Sequence, residues 1–137
     1  MPYTKIELNH NKIAKIAGLD ELAILLFPGN KNQQKVFLSV FIELKYSKNG
    51  YLSELESLCS AYSFSERTLE TVRAKMRRLG IIDHVSRKSA RLGYREGWVF
   101  SSRFVMSLKK LCERFEEFRD KKDGLQEKKD RDLFMYY

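Results

Sequence analysis

The chain has 137 residues, 43% of them hydrophobic and 32% charged. That length and mix suit one main domain with a terminal extension and argue against wholesale disorder. Only seven Gly and two Pro speak against a loop-rich all-β fold. No apolar run approaches the roughly 20 residues of a membrane span; the longest, residues 22–27, reads as core. Charged and polar residues begin at once, with no signal-peptide pattern, so a cytoplasmic location without membrane attachment is expected.

Net charge is +8, and its location matters more than its size. Residues 1–64 carry seven Lys/Arg against six Asp/Glu, residues 65–103 ten against four, and residues 104–137 nine against eight. A basic excess concentrated in the middle segment attracts a polyanion, and nucleic acid is the usual one.

In chain order, residues 3–8 alternate weakly and suit a short strand or an arm. Asn11 is placed to cap a short helix from Lys12 that Gly18 stops. Leu19 to Phe27 reads as a helix with more than one apolar face, and Pro28-Gly29-Asn30 breaks it. Gln33 to Tyr46 is a helix whose Val36, Phe37, Val40, Phe41 and Leu44 form one stripe. After a turn at Lys48-Asn49-Gly50, Ser53 and Glu56 have the spacing of a capping box, which predicts a helix from Glu54 to about Tyr62 with Leu55, Leu58, Cys59 and Tyr62 inward. Ser63-Phe64-Ser65 is a polar break around a buried aromatic.

A helix then starts after Ser65 and ends at Gly80. Leu69, Val72, Met76 and Leu79 fall on one face, and Gly80 stands where a left-handed C-terminal residue is needed. Residues 81–87 read as a strand, 88–97 as a loop, and 98–102 as an antiparallel strand, with Trp98 in the core. From about Ser102 to Asp120, Phe104, Leu108, Leu111, Phe115 and Phe118 recur at spacings of 4, 3, 4 and 3, a heptad seam. Residues 120–132 are nearly all charged, and residues 133–137 are apolar again.

The order of three helices, a two-stranded hairpin and a further helix is that of a winged helix. Residues 57–82 (SLCSAYSFSERTLETVRAKMRRLGII) carry the more specific match. Thr68, Leu69, Val72, Met76, Leu79, Gly80, Ile81 and Ile82 follow the third-helix pattern of small transcriptional regulators, with Leu58 ten positions before Thr68. In this segment the chain resembles regulators of the MarR, PadR and ArsR kinds. Two departures stand out. Ser63 replaces the usual turn Gly, and Cys59 stands alone where ArsR-like proteins have a metal box.

The resemblance implies a mainly α fold with a small β-hairpin wing: a winged helix-turn-helix over residues 33–103, followed by a C-terminal dimerisation helix and charged tail over 104–137; residues 1–32 lie outside the resemblance and read as an N-terminal helical extension. It implies a sequence-specific double-stranded DNA-binding regulator that occupies a palindromic operator as a homodimer. The alternative is a winged helix serving as a protein-interaction module within a larger nucleic-acid complex.

On the residues themselves, Arg67, Thr71, Ala74, Lys75 and Arg78 fall opposite the core stripe of the helix. Arg67 suits a bidentate contact to guanine and Thr71 a thymine methyl or a phosphate. Ser65, with the free backbone donors at the helix start and Thr68 beside it, suits a phosphate oxygen. Glu66 and Glu70 lie beside this face; they suit either accepting from cytosine or pairing with Arg73 by helix spacing, and the second is favoured because phosphates repel acids. Arg87, Lys88, Arg91 and Arg95 are expected at a hairpin tip, against phosphates or a minor groove. Leu111, Phe115 and Phe118 exceed what one winged-helix core needs and are assigned to dimerisation; the alternative is that the helix folds back onto residues 12–27, whose apolar faces also want cover.

Catalysis and cofactors have little support. There is no Gly-rich phosphate loop, nucleophile elbow or spaced carboxylate pair, and His84 beside Asp83 is not a triad. Cys59 and Cys112, with only His10 and His84 to join them, lack the paired spacing of a zinc site. A small-molecule effector has no sequence signature.

Overall fold

The computed structural model describes residues 6–89 and 93–137, with side chains described at 6–86 and 96–137. It divides into two compact units, residues 1–101 and 102–137. The described part is mainly helical with a three-stranded antiparallel sheet.

In the first unit, α1 (His10–Ala14) is capped by Asn9, whose side chain accepts from the Lys12 amide at 3.1 Å. The cap expected at Asn11 therefore lies two residues earlier, and the helix stops before Gly18. Gly18 instead precedes α2 (Leu19–Leu26). Residues 6–9 form no strand. The break at 28–30 closes tightly. Asn30 caps α3 (Lys31–Lys45) through the Gln33 amide at 3.0 Å, and the Gln34 amide side chain returns to the Phe27 carbonyl at 2.8 Å. Ala23, Leu26 and Phe27 of the expected extension are buried with Val36, Phe37, Val40 and Leu44 of α3. Ring contacts at 5.6, 5.7 and 4.9 Å run through Phe27, Phe37, Phe41 and Phe100. The N-terminal residues thus supply core to this unit.

A short strand absent from the sequence reading, β1 (Tyr51–Leu52), comes next. The predicted capping box does not form. Helix α4 (Ser57–Tyr62) starts three residues late, with the Glu54 carboxylate accepting from the Ser57 amide at 3.0 Å. Glu56 is drawn away to Arg73 at 2.9 Å. Leu55 is fully buried just ahead of the helix.

Ser63 ends α4 in the left-handed region, φ 59° and ψ 58°. The backbone therefore bends as a glycine would, without being one, and Phe64 packs half-buried. Helix α5 (Glu66–Leu79) matches the sequence reading at both ends. Gly80 is left-handed at φ 79°, and the Ile81 amide closes back on the Met76 carbonyl at 2.9 Å. Leu69, Val72 and Met76 are buried, and Leu79 is half-buried.

The hairpin is longer in its strands than expected. β2 (Ile82–Ser89) pairs with β3 (Gly93–Phe100) through to Ser89 opposite Gly93. Paired strand thus replaces the predicted loop at 88–89 and 93–97, and β3 ends before Ser101. Strand order is β1-β3-β2. β1 approaches β3 closely because residue 97 is Gly; a Cβ there would run into the Tyr51 ring, and the Tyr51 hydroxyl donates to the Glu96 carbonyl. Trp98 is buried as expected.

The second unit begins with α6 (Arg103–Asp120), the predicted helix. The charged segment that follows is itself helical: Asp123 caps α7 (Gly124–Asp132) through the Gln126 amide at 2.8 Å. A 3-10 turn, Leu133–Tyr136, follows. Among the described residues, no helix is long and apolar enough to cross a membrane.

Candidate nucleic-acid interface

Helix α5 is about 21 Å long at 1.5 Å per residue. Its core stripe fixes its rotation, so Glu66, Arg67, Glu70, Thr71, Ala74, Arg77 and Arg78 are exposed. Spacings of 4, 3 and 4 along Arg67, Thr71, Ala74 and Arg78 hold these four on one face. Thr71 donates its hydroxyl to the Arg67 carbonyl at 3.1 Å. Ser65 is engaged as the N-cap: its oxygen accepts from the Thr68 amide at 3.1 Å and lies 2.9 Å from the Thr68 hydroxyl. Thr68 itself is half-buried.

Lys75 departs from the expected stripe. It is only 7% exposed, its ammonium donates to the Leu26 carbonyl, and Nζ lies 4.4 Å from the centre of the Phe27 ring. A long apolar stem lets a lysine on the margin of a helix face turn inward when a carbonyl and an aromatic face are there to meet it. Burial, and secondarily the nearby Arg78, lowers its pKa from the usual 10.5. It is spent inside the first unit.

Arg73 also finds a partner other than the one expected. It binds Glu56 at 2.9 Å rather than Glu66 or Glu70, and its guanidinium stacks 5.3 Å from the Trp98 ring centre. The Arg73 hydrogen bond is the main cause holding the Glu56 carboxyl below its usual 4.5. Arg77, which the sequence reading passed over, is exposed and lies 5.6 Å from the same ring. Its signal was available, ten positions after Arg67 and one before Arg78, but an i+10 step is easily read as the flank of the helix.

In the hairpin, Arg87 stands directly opposite Arg95 in the register, and Lys88 opposite Tyr94. These three cationic positions thus lie on paired strands, not in a loop. Arg91 lies outside the described residues. Opposed like charges in an antiparallel pair cost stability unless a counter-charge is present. His84 pairs in register with Trp98, its ring 4.7 Å away. Burial raises the Cys59 thiol above its usual 9.0, which suits a reduced near-core residue. Among the described residues, no three His, Cys, Asp or Glu side chains gather to hold a metal ion.

The three dimerisation candidates lie in the second unit. Leu111, Phe115 and Phe118 are 64%, 62% and 75% exposed on α6, and Leu108 is also exposed. A cavity of about 650 Å³ lies at the N-terminal end, lined by Lys12, Lys15, Ile16, Ile24 and Pro28 among others. It shares no residue with α5 or the hairpin. No family model, curated protein or solved structure matches the chain.

Proposed function

We propose that the chain is a winged-helix double-stranded DNA-binding protein, a cytoplasmic transcriptional regulator that occupies a palindromic operator as a homodimer. The observation that carries this reading is the exposed α5 face of Arg67, Thr71, Ala74 and Arg78, carried on a helix that leads directly into a hairpin bearing Arg87, Lys88 and Arg95. A helix of this length fits the major groove, where Arg67 reads guanine and Thr71 meets a thymine methyl. The first-turn amides of α5 not taken up by Ser65 face a phosphate oxygen. The hairpin cations bind phosphate without reading sequence. Arg77 joins the interface and Lys75 leaves it. No catalytic step or cofactor belongs to this function.

One observation favours a second reading, a winged helix that binds another protein within a nucleic-acid complex. Glu66 and Glu70 are exposed beside Arg67 and Thr71, so two carboxylates outnumber the one cation in the N-terminal half of the face. The deciding experiment is selection of bound sequences from random duplex DNA, followed by anisotropy titration at several salt concentrations. The DNA reading requires an enriched inverted repeat and log affinity falling linearly with log salt, at about −0.9 per phosphate contact. No binding at low salt refutes it.

A further inference from the structure

Helix α2 presents different residues to two sides. Ala23, Leu26 and Phe27 are buried with the core of α3, whereas Ile24, 53% exposed, and half-buried Leu25 line the N-terminal cavity of about 650 Å³. Pro28 after α2 and Ile16 ahead of it complete an aliphatic wall. The wall is braced from behind. Between Leu25 and Pro28, the Leu26 carbonyl accepts from the Lys75 ammonium, and the Phe27 carbonyl accepts from the Gln34 side chain at 2.8 Å. Two consecutive carbonyls tied to α5 and α3 fix the backbone that carries Leu25 and Pro28. The aliphatic surface is therefore in place before anything binds, and the volume lies in the range of small-ligand sites. Helix α1, on the other side, has no buried residue, so a ligand held between α1 and α2 adds apolar contacts that α1 lacks.

The charged groups of the lining select the ligand. Lys12 and Lys15 stand three apart at the end of α1; Glu7 precedes α1, and Glu21 lies on α2. Among the described residues the side chains of Lys12, Lys15 and Glu7 have no partner, and Glu21 uses one oxygen to accept from the Ala17 amide at 3.4 Å. A net anion would meet two carboxylates here, and a net cation would meet two ammonium groups. A ligand carrying both charges finds a complement to each. A single amino acid would leave most of the volume unfilled. We propose that this cavity binds a short peptide of two or three apolar residues with both termini free. Its carboxylate lies at Lys12 and Lys15, its ammonium at Glu7 and Glu21, and its side chains on Ile16, Ile24, Leu25 and Pro28. The site goes beyond the DNA reading and does not depend on it.

Calorimetric titration of leucyl-leucine into the full chain tests this, with the N-acetylated and the C-amidated dipeptides as probes of single charge. The free dipeptide binds, and each blocked form binds at least about threefold more weakly, the size of one exposed ion pair. Hydrogen exchange in its presence slows over residues 7–28 and not over α5. Ile24→Glu changes an exposed side chain and weakens binding at least about tenfold, by placing a carboxylate in the aliphatic wall. Should that variant unfold, Lys12→Glu with Lys15→Glu replaces it. Both positions are exposed, and the double variant binds the amidated dipeptide at least as well as the free one. No binding at millimolar dipeptide, equal affinity for free and blocked forms, or protection outside residues 7–28 each overturns the proposal. Self-association that Ile24→Glu disperses, with no dipeptide bound, gives the wall to a second copy and overturns it too. A chain that binds the dipeptide and retains no duplex upholds this site and overturns the DNA reading alone.

Discussion

The ammonium of Lys75 donates to the main-chain carbonyl of Leu26, joining residues that are 49 apart in the chain. Leu26 is the last residue of α2, where the final carbonyls lack helical partners and the helix dipole is negative. The cation therefore finishes the C-terminal end of α2 while its stem packs with the core of the first unit. A residue with the sequence credentials of a DNA contact is instead a tie between α5 and the N-terminal helices.

That tie separates two arginine-like charges on one helix by role. Lys75→Ala removes the donor and the packing over Phe27, and should lower stability by about 1–3 kcal/mol. Arg78→Ala should leave stability within about 0.5 kcal/mol and weaken duplex binding instead. Urea denaturation and anisotropy on both variants check the division. Lys75 also gives a signed pH effect. Its pKa is lowered on folding, so the unfolded chain binds more protons between the lowered value and 10.5. Stability through this group rises with pH across that window, and the rise is missing from Lys75→Met.

Helix and hairpin should divide the work on DNA. Arg67→Ala should cost roughly 1–3 kcal/mol on the selected site and reduce the preference for it over scrambled duplex. Arg87→Ala with Arg95→Ala should weaken all duplexes alike and flatten the salt dependence. The pair should not destabilise the free protein, because two cationic residues stand opposed in the register. An unchanged preference after Arg67→Ala would place base reading elsewhere.

The Glu56–Arg73 bridge predicts an acid-sensitive contribution. The Glu56 carboxyl is lowered on folding, chiefly by its hydrogen bond to Arg73. The stability it adds is therefore present above about 4.5 and is lost as pH falls through the lowered folded value. Glu56→Gln should remove this dependence. Half of the Glu56 side chain is exposed, so a double-mutant cycle with Arg73→Met should return a coupling of only about 0.5–1 kcal/mol at pH 7.

Ser63 offers a stabilising substitution. A side chain at φ 59° pays a steric cost of roughly 1–2 kcal/mol that glycine avoids, against about 0.5–1 kcal/mol of extra chain entropy lost. Ser63→Gly should therefore raise stability by about 0.5–1 kcal/mol, seen as a higher melting temperature. The contact from the Lys35 ammonium to the Ser63 carbonyl at 3.3 Å is to main chain and survives the change.

What the sequence made legible here was local. Helix α5 could be read to the residue because its start after Ser65, its 3-4-3 apolar spacing and the Gly80 stop all lie within sixteen positions. The α6 seam was legible for the same reason. Three features depended on residues far away in the chain. The inward turn of Lys75 needs Leu26 and Phe27. The displaced start of α4 follows from Arg73 capturing Glu56, which the capping box would otherwise have used. Strand β1 is two residues long, and its signal is the missing side chain at Gly97, 45 positions on from Leu52. The hairpin was misjudged because Gly93 and Gly97 read as loop residues; Gly93 opens β3, and Gly97 admits the ring of a neighbouring strand. In the candidate site, exposure of Arg67, Thr71 and Arg78 followed from periodicity alone, whereas the bonds that occupy Ser65 and Arg73 did not.

Trp98 is the chain's single tryptophan, and it sits under the guanidinium groups of Arg73 and Arg77 with His84 alongside. Indole emission responds to charge held close to the ring. The protein thus carries a built-in optical reporter at the junction of α5 with the sheet. Anything that draws Arg77 off the ring should change the colour or yield of that emission, and occupancy of the α5 face can be followed in real time on the unlabelled chain.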